Sequence, residues 1–554
     1  METKKIREEF LNFFKKNNHE ILNGSALTIE NDDSLLFTNS GMVQFKNCFL
    51  GKEYIKHKNI ATSQLCLRVG GKHNDLNNIG ISPHHNTLFE MLGNFSFSGY
   101  FKREAINLSW DFLIKILNID KNRLYISVNK DDEETINIWK NDIKISKEKF
   151  IMGDKKSNFW IMGKSGPCGY CSEIFYNKDP NKSDQKYFLE IWNLVFMQFN
   201  KEQNKIKKLE NYSIDTGMGL ERIASVMQNT LDNYKIDIFS NLVKYTSEYL
   251  KTKNNEISIK IIVDHIKAYI FLANEGIFPS NNKRGYIVKK LIRKAIIQKE
   301  KINNYAKLYE LIPNFITEIN KNYNEIIKYN KNIINIFEQE EKKFEETLKD
   351  SFKCLNKIIK QKKSKKISGE DLFLLHDTHG LPIDLIKEIT NKQRIKLDIK
   401  NFKKEMEKQK NKNIKEKTKN INYKLDINKT LFKGYDNLKT DAKIIKIIKS
   451  NKEVEYIKEN EEGIIILDKT SFYAEKGGQV GDKGIIEKKN SIFEVNDTKE
   501  VNNVFFHIGK AKEGSDLIKL NDNVTIHVDK KTRENTAKNH TATHILHAIL
   551  KKKL

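Results

Sequence analysis

The opening stretch, METKKIREEFLNFFKKNN, sets Ile6, Phe10, Phe13 and Phe14 among charged neighbours at the spacing of one buried helix face. Beyond it, to residue 240, short apolar runs such as SLLFT, RLYISV and IWNLVFMQF sit between turn-rich stretches. Strands mixed with helices, with no regular strand–helix alternation, predict an α+β domain over 1–240. From 241 to 430 the chain turns helical and highly charged. Phe337, Phe344, Leu348, Phe352, Leu355 and Ile359 step by seven, four, four, three and four, which is one apolar stripe along a long helix. The segment NFKKEMEKQKNKNIKEKTKNINYK has almost no apolar face and reads as a solvated helix end or linker. Past 430 the period shortens. EEGIIILD, GDKGIIEK, SIFEVND, VFFHIG and VTIHVD, separated by Gly, Asn and Asp, predict a small β-barrel or sandwich over 431–532. A last helical run, 533–554, places His540 and His544 four apart on one face.

Composition narrows the function classes. No apolar run approaches the ~18–20 residues of a membrane span. The amphipathic start, with Glu8 and Glu9, lacks the apolar core of a targeting signal, so a cytoplasmic protein with no membrane contact is expected. Five cysteines (Cys48, Cys66, Cys168, Cys171, Cys354) form no regular framework, which suits a reducing compartment. Lys plus Arg number 98 against 73 Asp plus Glu, a net charge of +25 over 554 residues. That points to a polyanionic partner such as nucleic acid, although a drift toward Lys, Asn and Ile produces the same excess.

Neither a GxxxxGK[ST] loop nor a GxGxxG after a strand is present, so two common ways of holding a nucleotide are missing. HIGK at 507–510 sits in strand-like text with no nucleotide-binding domain after it. Three other segments carry chemistry. CLRVGGKHNDL offers Arg68 and Lys72 to phosphate oxygens around glycines that let backbone approach closely; it also fits a basic hairpin tip. HHNTLFEMLGNFSF joins His85, Phe89 and Glu90: a donor, an aromatic plate for a purine and an acceptor. The same run fits a core strand. DTGMGLERIASVMQ places Asp215, Gly217, Gly219 and Arg222 at a helix entry, where an anion is favoured.

Together these segments resemble motifs 2 and 3 of the class II aminoacyl-tRNA synthetases. Longer strings resemble the alanyl-tRNA synthetase family in that family's order over nearly the whole chain: LLFTNSGMVQFK, GGKHNDL, FEMLGNFSFSGYFK, NFWIMGKSGPCG, IWNLVFMQFN, DTGMGLERI, RGYIVKKLIRKA, FYAEKGGQVGDKG and NHTATH. The resemblance implies an antiparallel class II sheet with flanking helices, then a helical tRNA-recognition domain and the β-barrel of an editing module. It implies alanine activation by ATP and transfer to tRNA(Ala), with Mg²⁺ on the phosphates. Arg68 and Arg222 would hold the α- and γ-phosphates, Phe89 would stack on adenine, and Glu90 would read its edge. Lys72, His85, Gly217 and Gly219 would complete the ATP site. Asp215 would take the alanine ammonium, with Trp160, Asn193 and Val195 as pocket walls. Asn281 and Asp377 would read a G·U pair in the acceptor stem, with Arg284 and Arg293 on phosphates; by residue type alone these read first as an N-cap, a turn and a solvated basic face. Cys168 and Cys171 lack the two histidines that follow them in some relatives, so zinc is not expected there. His540 and His544 correspond to the first half of a Zn²⁺ site whose other ligands do not follow. The expectation is aminoacylation with serine and glycine editing lost or weak, by a monomer.

Overall fold

The computed structural model describes every residue except 29–34, 71–72, 155–156, 162–165, 203–204, 254–255, 324–330, 362–365, 379, 382, 384–385, 388–389, 391–394, 418–428, 450–451, 502 and 554. It divides into two compact units, Met1–Lys403 and Lys404–Leu554.

The first unit is built on one mixed sheet. Its strands are β1 (Glu20–Asn23), β2 (Asn59–Leu67), the hairpin β3 (Val69–Gly70) and β4 (His73–Asn74), β5 (Leu88–Phe97), β6 (Leu124–Asn129), β7 (Phe150–Gly153), β8 (Phe159–Ile161), β9 (Gly166–Asn177), β10 (Phe188–Glu202) and β11 (Lys205–Gly219). The sheet order is β1-β2-β5-β11-β10-β9-β6-β7, with β8 on β9 and the β3–β4 hairpin apart. The central pairs are antiparallel; β1–β2 and β6–β7 are parallel. Side chains alternate between faces. The even positions Trp192, Leu194 and Phe196 are buried on one side, where the helix Thr3–Lys16 packs Ile6, Phe10 and Phe14. The Phe10 ring lies 5.8 Å from Trp192 and 5.3 Å from Phe112.

The helical region is not a separate body. The helix Glu256–Asn274 is buried nearly all round from Ile259 to Ala273, and a helix without a polar face has to be enclosed by its neighbours. It is tied to the sheet, since Asp264 Oδ1 accepts from the Thr87 N–H at 2.8 Å, just before β5. Residues on both sides of position 240 lie within the first compact unit, Met1–Lys403. The helix Lys331–Gln361 buries Phe337, Phe344, Leu348 and Leu355 of the stripe read from the sequence, and Phe352 and Ile359 are half-buried. The polar stretch after it forms the helix Ile399–Lys417.

In the second unit six strands pair antiparallel in the order Lys439–Lys449, Glu462–Leu467, Val504–Ala511, Ser491–Val501, Gly484–Lys488 and Asn523–Val528, and the last pairs with the first. This closes a barrel around Ile444, Ile465, Ile486, Phe493 and Ile526. Five of these strands coincide with the apolar runs of the sequence. The sixth, KTDAKIIKIIK, is hidden by its lysines and by a register shift between Ile444 and Lys446 that breaks the two-residue period. HIGK belongs to one barrel strand, with His507 buried against Thr470 Oγ1 at 2.7 Å.

Candidate active site

Strand alternation assembles the site. Phe89 and Met91 on β5, Cys171 and Glu173 on β9, Ile191, Asn193 and Val195 on β10, and Asp215, Gly217 and Gly219 on β11 all line one cavity of about 330 Å³. Arg68, Asp75, His84, His85, Trp160, Glu190, Glu221 and Arg222 are also in its wall. Register fixes the rows: Val195 lies opposite Asp215 on one side and Cys171 on the other, and Asn193 opposite Gly217 and Glu173. A Cβ at Gly217 would come within 2.9 Å of Met91 Sδ, so the Met91 side chain would have to shift to admit one.

At one end Arg68 lies over the Phe89 ring, 5.0 Å from its centroid, and its Nε donates to the Asn39 carbonyl at 3.1 Å. Arg222 leads the helix Leu220–Met227; its Nη1 donates to the Glu190 carbonyl at 3.1 Å and to Glu190 Oε2 at 3.2 Å. His85 hydrogen-bonds Ser82 Oγ at 2.7 Å, and burial with the nearby Arg222 holds its imidazole below the usual range. Burial alone pushes the Asp215 carboxyl up to about 7. Burial, reinforced by Glu190, pushes Glu173 to about 7 as well. The cavity therefore has a cationic end beside an aromatic plate and an acidic, desolvated end beside Trp160 and Val195. That arrangement suits a nucleoside phosphate meeting a small ammonium-bearing acid.

The family model for class II (A) tRNA synthetases matches residues 5–532. The chain belongs to this family. It is 42% identical to an alanine–tRNA ligase of Legionella pneumophila (strain Paris), over 100% of this chain and 66% of that protein. It is 45% identical to one of Buchnera aphidicola subsp. Schizaphis graminum (strain Sg), over 100% and 65%, and to one of Wigglesworthia glossinidia brevipalpis, over 98% and 64%. The chain thus spans slightly under two thirds of these relatives' length.

Within this class II synthetase most of the site expected from sequence converges, with two exceptions. Glu90 does not face the cavity. As the even neighbour of Phe89 it points to the opposite side of the sheet, where it is buried against Arg7; Arg7 Nη2 donates to Glu90 Oε2 at 2.7 Å and Arg7 Nε and Ser63 Oγ to Oε1. It cannot read an adenine edge from there. Lys72 lies outside the described residues. Among the lining residues, sequence reasoning missed His84, Met91, Cys171, Glu173, Glu190 and Ile191; Met91 and Ile191 were legible as the two-residue companions of Phe89 and Asn193.

A second cavity of about 500 Å³ in the same unit is lined by Asn281, Lys289, Lys290, Arg293, Lys294, His376 and Asp377. Lys289 Nζ donates to Asn281 Oδ1 at 2.7 Å. Arg293 lies over the Phe344 ring and donates to Glu340 Oε1 at 2.8 Å, so it is a wall group already holding an acid. Arg284 is the second exception: it does not line this cavity, and its Nε donates to the Leu36 carbonyl at 2.7 Å.

Metal sites are weaker. Cys168 and Cys171 are three apart on β9 and so project to opposite faces, which precludes a shared ion. In the second unit the His540 and His544 rings stack with centroids 4.9 Å apart, and His540 Nδ1 hydrogen-bonds Gln479 Oε1 at 2.9 Å. Among the described residues no three His, Cys, Asp or Glu groups are placed to hold a metal. The pair does not fit a zinc sphere by itself, and no step is assigned to zinc. No helix among the described residues is long and apolar enough to cross a membrane.

Proposed function

We propose that the chain activates alanine with ATP, giving alanyl-adenylate and pyrophosphate, and then passes alanine to the 3′ end of tRNA(Ala). The observation that carries this reading is the meeting of Arg68, Phe89 and Arg222 with Asp215, Asn193, Val195 and Trp160 in one cavity. A carboxylate oxygen of alanine attacks the α-phosphorus as pyrophosphate leaves; a terminal ribose hydroxyl then attacks the adenylate carbonyl as AMP leaves. The nucleophiles are the substrates' own, so the protein acts by positioning and by stabilising charge. Arg68 holds the α-phosphate, Phe89 stacks on adenine, and Arg222 holds the far end of the triphosphate, with neutral His85 as a hydrogen-bonding partner. Glu190, at the cavity edge beside Arg222, would be a ligand for Mg²⁺ together with phosphate oxygens, and the ion would supply neutralisation of the leaving charge.

Asp215 receives the alanine ammonium, and Val195 and Trp160 enclose its methyl. One missing methylene discriminates by only about 1–3 kcal/mol, and an added hydroxyl is no better rejected, so measurable serine and glycine activation is expected. The second cavity supports acceptor-stem binding. Asn281 and Asp377 have the exposed polar atoms to read a G·U pair, and Lys289, Lys290 and Lys294 to hold phosphates. Alanine-dependent ATP–pyrophosphate exchange tests the first step; absence of exchange with alanine would sink the proposal.

A further inference from the structure

We propose that Glu173 is a positioning residue for amino-acid selection: it locks the Asn193 carboxamide so that the amide oxygen, and not the NH₂, is offered to the substrate ammonium. This rests on the alanine-activating reading above. Glu173 on β9 lies directly opposite Asn193 on β10. Asn193 Nδ2 donates to Glu173 Oε1 at 3.2 Å. Ser127 Oγ donates to Glu173 Oε2 at 3.1 Å and itself accepts from Asn158 Nδ2 at 2.7 Å, which directs the hydroxyl proton toward Glu173.

Each carboxylate oxygen therefore faces a donor, and an ionised carboxylate can only accept. The orientation of an Asn amide is otherwise interchangeable, and here the carboxylate decides it. The consequence sits on the other side of the amide. Asn193 Oδ1 is buried and has no hydrogen-bond partner among the described residues. Its neighbour on β11 is Gly217, which contributes no side chain, and Asp215 is the next cavity-facing residue along that strand. Such an orphaned acceptor is relieved by a substrate donor. An ammonium between Asp215 and Asn193 supplies one, whereas a reversed amide would meet the same ammonium with its own N–H groups.

The experiment is amino-acid-dependent ATP–pyrophosphate exchange on the full chain at pH 8, where Glu173 is ionised, with KM measured separately for alanine and ATP. Glu173→Met removes the acceptor and is expected to raise KM for alanine about tenfold while KM for ATP stays within about twofold. Glu173→Asp keeps the charge but withdraws it by a methylene, and is expected to raise KM for alanine too. Glu173→Gln should restore most of the affinity, because its amide oxygen still accepts from Asn193 while its NH₂ turns to Ser127. In the pair Glu173→Met with Asn193→Ala, the effects on KM for alanine should not add, since the first acts through the second. An unchanged KM for alanine in the Met and Asp variants, additive effects in the pair, or a parallel rise in KM for ATP would overturn the assignment. Failure of the unaltered chain to exchange with alanine would instead remove the activity on which it stands.

Discussion

Replacing Asp215 by Asn should separate stability from function. The carboxyl is almost fully buried, and burial carries it from an ordinary 3.8 to about 7. In the fold it keeps a proton that it gives up when unfolded, so stability falls as pH rises from about 4 to about 7, and the loss is complete above that. The rise corresponds to about 4 kcal/mol, the cost of keeping a desolvated carboxylate without its cation. Asn has the same shape and no charge. Its own buried amide takes back about 1–3 kcal/mol, so a net gain of about 1–3 kcal/mol is expected at pH 8 and a net loss of about 1–3 kcal/mol near pH 4. The same change removes the partner of the alanine ammonium. Losing one member of a desolvated charge pair costs about 2–5 kcal/mol, or roughly 30-fold to several-thousand-fold in KM for alanine. In the unaltered chain KM for alanine should fall as pH rises through about 7, because only the ionised carboxylate binds the cation. Thermal melts of the two proteins across pH, with exchange kinetics at pH 8, test this together. A melting difference that does not change with pH, or an Asn variant that keeps its KM for alanine, would refute the reasoning.

Phe89→Ala should raise KM for ATP by about 5- to 150-fold, the value of about 1–3 kcal/mol of base stacking, and leave KM for alanine nearly unchanged in the same exchange assay. Glu90→Gln breaks the buried ion pair with Arg7 behind the sheet; chemical denaturation should show a loss of about 3–5 kcal/mol, while KM for ATP in the folded protein stays within about twofold. Asn281→Ala should leave pyrophosphate exchange intact and lower kcat/KM for tRNA charging by about 5- to 150-fold, with the preference for the G·U pair relaxed, the effect of about 1–3 kcal/mol of base discrimination.

Local pattern was enough to place most elements. The stripe from Phe337 to Leu355 could only be one helix face, and five of the six barrel strands followed from short apolar runs between turn residues. The chemistry-bearing types Arg68, Phe89, Asp215 and Arg222 stood out because each sits beside glycines or at an element end, where backbone geometry is constrained. Which way a residue faces inside a sheet is a different matter. Phe89 and Glu90 are adjacent in sequence and looked like one recognition pair, yet the pleat sends one to the cavity and the other to Arg7 behind it. Strand register, set by long-range pairing across β9, β10 and β11, decided that Glu173 meets Asn193 and that Val195 sits between Asp215 and Cys171. The same distant packing enclosed the helix Glu256–Asn274. Periodicity and motif spacing are local, so the elements and the family were legible along the chain. Side-chain partners were not, because neighbours across a sheet are tens to hundreds of residues away and no local signal encodes them.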